Sequence, residues 1–313
     1  LGVMMGSVLE KSGAAEQIAF TIIKKIGKHK EEWALGITGY IVSIPVFSDS
    51  ALVILTPIAK ALSKLTGKSV VALGLALATG LQLTHVFVPP TPGPLTVAGI
   101  LGVDVGVMII AGVLVTIPTL IASMLYCKWL NKKIYSIPND DGVTFTRKEY
   151  KEEYIKAIED IDQIHKSKNL PSAAMSFAPI VVPLILILAN SIVTFAGISN
   201  SITPAINLLG HPIIALVIGT LISVYGLGGD MSREEVLGHI EDGIKATGMI
   251  MLITGAGGAL GMVVRESGVG DALGEAILST SIPALLIPFI IGALMRIALG
   301  SATVALTTAA TLT

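Results

Sequence analysis

Ile44-Pro45-Val46-Phe47-Ser48-Asp49-Ser50-Ala51-Leu52-Val53-Ile54-Leu55-Thr56-Pro57 sets a carboxylate and two hydroxyls inside a long apolar stretch. An acid at that depth in lipid costs roughly 3 kcal/mol or more unless it faces protein or a water-filled cavity, so Asp49 is a functional candidate. The flanking arms, Trp33–Val46 and Ala51–Leu62, are each shorter than the about 20 residues a crossing needs. Separated by Phe47-Ser48-Asp49-Ser50, they predict a re-entrant hairpin of two half-helices over 33–62, with Lys60, Lys64 and Lys68 on the side to which it returns. A second version stands near the other end, Ala298-Leu299-Gly300-Ser301-Ala302-Thr303-Val304-Ala305-Leu306-Thr307. Ser50-Ala51, Val53 and Leu55-Thr56 match Ser301-Ala302, Val304 and Leu306-Thr307 at one constant offset.

The rest of the chain has membrane character too. Of 313 residues 52% are hydrophobic and 14% charged, with mean hydropathy +0.80, whereas a soluble domain is about a quarter charged. Thirty-three glycines suit helices that approach closely in lipid. The net charge of -1 gives no reason to expect nucleic acid as a partner. Cys127 stands alone, so no disulfide framework forms. The chain begins at Leu1 inside an apolar run and stops at Thr313 without a polar tail, so it is expected to be a piece of a longer polytopic protein.

In order, residues 1–9 read as the end of a membrane helix. Ser12–Lys30 reads as an amphipathic helix on the membrane surface, with Ile18, Ile22, Ile23 and Ile26 opposite Glu16, Lys24, Lys25 and Lys28. After hairpin 33–62, the apolar run 70–103 is broken by Pro89-Pro90-Thr91-Pro92-Gly93-Pro94. Four prolines in six residues cannot stay helical, and non-helical backbone at membrane depth must line a cavity or be buried in protein. Residues 105–130 form a full span, completing a first repeat over 1–130. The charged segment 131–171 is expected to be a cytoplasmic linker with a helix around Glu149–Ile164. A second repeat over 172–313 holds spans Ala173–Gly197, Pro212–Gly228 and Thr247–Val264, a short amphipathic helix Ser232–Lys245 opened by a Ser232/Glu235 capping box, a surface helix 267–281 and a hairpin 282–312.

Lys and Arg mark the cytoplasmic face. The first surface helix carries Lys24, Lys25, Lys28 and Lys30, whereas Val269–Ser281 carries none, and counting crossings brings the two hairpins in from opposite faces. The expected fold class is therefore an all-α polytopic membrane protein with inverted repeats, two re-entrant hairpins and broken helices. Such proteins bind their cargo at the midplane where the broken helices meet.

Pro45-Val46-Phe47, His85-Val86-Phe87-Val88-Pro89-Pro90-Thr91-Pro92 and Arg296-Ile297-Ala298-Leu299-Gly300-Ser301-Ala302-Thr303-Val304-Ala305-Leu306-Thr307-Thr308-Ala309-Ala310 resemble the gluconate:proton symporter (GntP) family. Leu9-Glu10-Lys11-Ser12-Gly13-Ala14 and its reduced copy Arg265-Glu266-Ser267-Gly268 extend the resemblance over most of the chain. It implies a multi-pass plasma-membrane carrier with elevator-like movement, taking a small anionic sugar acid with protons. Phe47-Ser48-Asp49 departs from the family's frequent Phe-Phe-Glu, which leaves substrate choice within the family open. A second broken helix, expected after hairpin two, lies beyond Thr313.

On this reading Asp49 carries the coupled proton, aided by His85, and Arg296 pairs with the substrate carboxylate through its planar fork. Gly300, Ser301 and Thr303 supply amides and hydroxyls at a half-helix N-terminus, where the dipole favours an anion, and Ser48, Ser50 and Thr91 offer hydroxyls to the substrate. Plainer readings stay open: Ser48, Asp49 or Ser50 as an N-cap, Arg296 paired with Asp49 or snorkelling, His85 as a core residue, and the small residues as packing. Gly257-x-x-x-Gly261 fits helix packing rather than a dinucleotide loop. No nucleophile–base pair or metal-ligand spacing appears, so neither enzyme chemistry, cofactor nor metal is expected. Coupling to sodium, another short hydroxy-carboxylate such as D-serine or glycerate, an ion channel, and a homo-oligomeric state all remain alternatives.

Overall fold

With water excluded, each backbone group has to find its partner inside its own segment, and a chain this apolar answers with helices. The computed structural model describes residues 1–26, 30–139, 144–147, 170–228, 232–266, 283, 286–299 and 302–312. Helices α1 (Gly2–Lys11) and α2 (Ala14–Ile26) are joined through Gly13, whose φ of 78° only glycine takes without strain. Then come α3 (Glu31–Val42), α4 (Ser48–Thr66), α5 (Val70–Phe87), α6 (Pro92–Leu101) and α7 (Val105–Lys133). A small antiparallel pair, β1 (Ser136–Pro138) and β2 (Phe145–Arg147), follows. The chain continues through α8 (Ala173–Phe195), α9 (Thr203–Leu209), α10 (Pro212–Ile222) with a π-turn at Ser223–Leu227, α11 (Arg233–Glu266), α12 (Leu286–Leu299) and α13 (Ala302–Leu312).

Among the described residues three runs are long and apolar enough to cross a membrane: Val70–Leu101, in which α5 and α6 count together across the proline break, Val105–Lys133 and Ala173–Phe195. Helices α9 and α10 meet at 65° and make a fourth candidate if they count as one span. α7 lies outermost. Its Gly112, Thr116, Leu120, Met124 and Cys127 are buried, while Leu114, Val115, Leu125 and Trp129 are exposed, an arrangement suited to lipid on one side and protein on the other.

The core is centred on α2, α3, α4 and α5, with Ile18, Leu35, Leu55, Leu73 and Leu77 fully buried. α2 is amphipathic as its sequence predicts, but its stripe of Ile18, Ile22 and Ile23 is buried inside the protein, against α3, α4 and α8. α3 and α5 form the most intimate pair because glycines face backbone there: Gly39 and Gly80 leave no room for a side chain, and Gly80 sits against the backbone of Gly36. The base of the α3–α4 unit is held by charge. Lys68 Nζ lies 2.8 Å from Glu31 and 2.5 Å from Glu32, both nearly inaccessible.

Three boundaries differ from the sequence expectation. The first break falls at Ser43–Phe47 rather than Phe47–Ser50. Pro45 lacks an N–H and ends α3 early, while Ser48, Asp49 and Ser50 already form the first turn of α4. Ser232–Lys245 and Thr247–Val264 are one 34-residue helix, since no proline separates them, and the expected capping box opens it. Ser232 N–H donates to Glu235 Oε2 at 2.7 Å and Glu235 N–H to Ser232 Oγ at 3.2 Å. The segment after α7 contains the unexpected β1–β2 pair. Its expected helix around Glu149–Ile164, and the expected surface helix 267–281, lie outside the described residues.

Candidate functional site

Two interruptions of the helical ladder face each other. In the first, Ser43 Oγ donates to the Val46 carbonyl at 3.1 Å, and Phe47 adopts an extended N-cap conformation without a side-chain cap. The first N–H groups of α4 therefore lack intrahelical partners. Ser48 is buried, Ser50 half-buried, and Asp49 exposed in that first turn, so none of the three is the N-cap. In the second interruption Val88 and Thr91 are extended around Pro89-Pro90. The Thr91 hydroxyl donates to the Val88 carbonyl at 2.8 Å, which leaves its oxygen free to accept.

Between the breaks lies a cavity of about 350 Å³. Ile44–Phe47 form one wall and Pro90–Pro92, with Leu95 and Thr96, the other. It is thus bounded by non-helical backbone on both sides, the setting in which broken membrane helices place a ligand.

His85 sits one turn before the second break and touches the first. Its ring lies 5.6 Å from that of Phe47 in a T-shaped contact, and Asp49 is within electrostatic reach of it. His85 Nδ1 is buried and has no hydrogen-bond partner among the described residues, an unusual state for a polar atom. Thr84, by contrast, is committed to structure: its hydroxyl donates to the Tyr40 carbonyl at 2.7 Å and fastens α5 to α3.

The second polar break is seen only from its flanks. Gly300 and Ser301 lie outside the described residues. Helix α13 packs on α6 and α12. Thr303 is half-buried, with its hydroxyl 3.5 Å from where a Cβ on Gly93 would stand, so α13 begins directly against the first turn of α6. Thr308, one residue off the Thr303–Thr307–Thr311 row that bonds back along the helix, has a buried hydroxyl without a partner among the described residues. Sequence reasoning missed it, and its place in the run Thr307-Thr308 was the only signal.

Arg296 stands apart from the cavity between the breaks. It is exposed on α12 and lines a larger cleft of about 720 Å³ with Thr79, Gln82 and Phe87 of α5. No ion pair between Arg296 and Asp49 occurs among the described residues. The structure thus brings together the first break, the proline break, Thr91, His85 and Asp49, and in a second group Thr303 with α6. Arg296 does not line the cavity between the breaks; its cleft is walled by α5 and by Ala302, Ala305 and Leu306 of α13, next to Thr303.

Long apolar helices interrupted around an internal cavity define a polytopic α-helical membrane protein. The model of the GntP family permease matches residues 1–313. The chain is 48% identical to an uncharacterized permease of Haemophilus influenzae over all of its own length and 64% of that protein. It is 32% identical to a gluconate permease of Bacillus licheniformis (97% of this chain, 67% of the relative) and 33% identical to a Gnt-II system L-idonate transporter of Escherichia coli (99% and 67%). The chain belongs to the GntP permease family, and it spans about two thirds of the length of the curated relatives it matches. It is accordingly a multi-pass membrane protein, which in a bacterium means the plasma membrane.

Proposed function

We propose that the protein is a secondary active transporter that imports gluconate or a related sugar acid together with protons, by elevator-type alternating access. The observation that carries this reading is the cavity between the Ser43–Phe47 and Val88–Thr91 interruptions, with His85, its Nδ1 unpartnered among the described residues, in ring contact with the wall residue Phe47 and Asp49 within electrostatic reach of it. Relatives named gluconate permease and L-idonate transporter support the sugar-acid class.

The α3–α4 and α12–α13 units act as re-entrant hairpins of two inverted repeats, entering from opposite faces, with 131–171 cytoplasmic. Substrate hydroxyls meet Thr91 in the cavity, and Ser48 and Thr303 beside the breaks, with Ser50 joining them as the break turns its far face inward. Its carboxylate is attracted by the first-turn amides of α4, by Gly300 and Ser301, and by Arg296 once the α5 wall and α12 move together around the cargo. Asp49 and His85 exchange the coupled proton. Coupling is required physically, because an anion entering an inside-negative cell is opposed by about 2.3 kcal/mol per 100 mV.

The test is uptake of labelled gluconate into proteoliposomes holding the full-length protein, under separate pH and sodium gradients and with unlabelled sugar acids as competitors. An inward proton gradient should drive saturable accumulation that other sugar acids inhibit. Accumulation that follows sodium alone would move the coupling to sodium, and a non-saturating current would make the protein a channel.

A further inference from the structure

The break Pro45–Phe47 has a second face. Behind it, away from the cavity shared with the proline break, lies a separate polar pocket of about 190 Å³. Its walls are α1 (Ser7, Glu10, Lys11), the break with Ser50, and Asp242–Gly243 of α11. Helix α1 presses directly on the break through Gly6: a Cβ there would overlap the Pro45 carbonyl oxygen and stand 3.2 Å from Val46 Cα. Glu10 lies four residues further, on the same face of α1. Gly243 holds α11 equally close, 3.0 Å from Met4 Cα by the same measure.

Glu10 is therefore an acid in a pocket with room for several waters, one helical turn from the backbone that walls the cavity between the breaks. Among the described residues its carboxylate takes part in no hydrogen bond or ion pair, although Lys11 is its neighbour in sequence. Lys11 and His239 lie close enough to act on its charge. The charged or titratable groups that face it are Lys11 on its own helix and His239 and Asp242 on α11. Asp49 of α4 does not line the pocket. No role in packing or capping accounts for the group.

We propose that Glu10 is a second proton-carrying residue of the transport cycle, loaded from water in the pocket behind Pro45–Phe47 and acting on the cavity through that shared wall. The proposal rests on the proton-coupled reading above. The carboxylate takes one proton from pocket water and returns it to water when the pocket reopens on the other side; no bond to the substrate forms or breaks. Neutralising Glu10 removes a charge from beside the break, so that the break can shift with the substrate into a drier setting.

The experiment uses the full-length carrier in proteoliposomes with gluconate as probe, read as substrate-driven proton entry by an internal pH dye and as homoexchange of labelled gluconate without a gradient. Wild type comes first: if it shows no gluconate-driven proton entry, both the coupled reading and this proposal fall. Given wild-type coupling, Glu10→Gln should lose proton entry by about tenfold while homoexchange falls far less, and Glu10→Asp should retain both. His239→Gln, which removes an opposing positive charge, should shift the pH midpoint of proton entry upward. Proton entry in Glu10→Gln at the wild-type rate overturns the Glu10 role and leaves the coupled reading standing. So does an equal loss of both readouts. If Glu10→Gln does not reach the membrane, an unmoved midpoint in His239→Gln decides against it.

Discussion

Gly80→Ala tests whether the α3–α5 crossing holds the first break in place. A methyl group at Gly80 would overlap the Gly36 carbonyl oxygen and stand 2.8 Å from the Gly36 carbonyl carbon and 3.0 Å from the Tyr40 nitrogen. All three atoms are backbone of α3, so no change of rotamer relieves the clash. Restoring a carbon–carbon separation near 3.5 Å parts the helices by the order of 1 Å. It strains the bond from Thr84 to the Tyr40 carbonyl, next to the break. Overpacking of this kind costs about 1–3 kcal/mol. Two neighbours calibrate the number. Gly36→Ala meets chiefly the Sδ and Cε of Met124, a side chain that can swing aside, and should cost about 1 kcal/mol. Gly74→Ala, on α5 itself, meets nothing within 4 Å, and should gain about 0.5–1 kcal/mol from helix propensity. Thermal unfolding of the detergent-purified protein, followed by tryptophan fluorescence because Trp33 lies in α3, should rank Gly74→Ala above wild type, then Gly36→Ala, then Gly80→Ala. A Gly80→Ala protein that melts with or above wild type refutes the reasoning.

The charged base of the first helix pair should be the costliest single loss: Lys68→Met leaves Glu31 and Glu32 buried without their ammonium and should destabilise by about 3–5 kcal/mol, with partial recovery when Glu32→Gln is added, measured by the same melts. Arg296→Gln should abolish saturable gluconate binding, and unchanged affinity in scintillation proximity would remove Arg296 from the binding machinery. Asp49→Asn should lose uptake driven by a pH gradient; wild-type uptake would sink its proton role. At the α11 N-terminus the backbone and side chain of Ser232 hold the Glu235 carboxyl below its ordinary value. The cap is then fully present above about pH 4.3 and fades as pH falls through the depressed value, so amide exchange near Ser232–Glu235 should quicken in acid.

What could be read from the sequence was what chain chemistry dictates locally. Four prolines between Pro89 and Pro94 end a helix wherever they stand, and α5 stops at Phe87 accordingly. Ser232 and Glu235 satisfy each other's backbone at a spacing any helix start would use. Polarity as a marker puts the first break a few residues too late. Pro45 sets the boundary, and polar residues in a helix's first turn are as comfortable as in a loop. Three-dimensional neighbours left no such trace. Nothing in the spacing of Glu31 and Glu32 from Lys68 announces their ion pairs, and Glu10 gains its meaning only from Gly6 pressing α1 onto the break. The planar fork of Arg296 and its depth along the chain point to a carboxylate partner, but neither tells which face of α5 it meets.

The two ends of the first helix pair are built in opposite ways, and the contrast bears on which parts can move. At the base, the Ser69 N–H donates to Asn131 Oδ1 at 2.6 Å and the Ser69 hydroxyl to the Ile134 carbonyl at 2.5 Å, while the Tyr135 hydroxyl donates to the Gly67 carbonyl at 2.6 Å. With the Lys68 ion pairs, these bonds weld the α4–α5 turn to the start of α3 and the end of α7. At the other end the break exposes unpaired amides and borders two cavities, one apolar and central, the other polar and behind it. Local opening is drawn from segments with few satisfied contacts. Motion in the first half therefore belongs to the break against a base that stays whole, and α3, α4, α5 and the last turn of α7 should travel as one body. A crosslink between cysteines placed at Ser69 and Asn131 should leave transport intact, whereas one that fixes Val46 to Leu95 across the cavity should arrest it until it is reduced; transport blocked by the first and spared by the second would reverse the assignment.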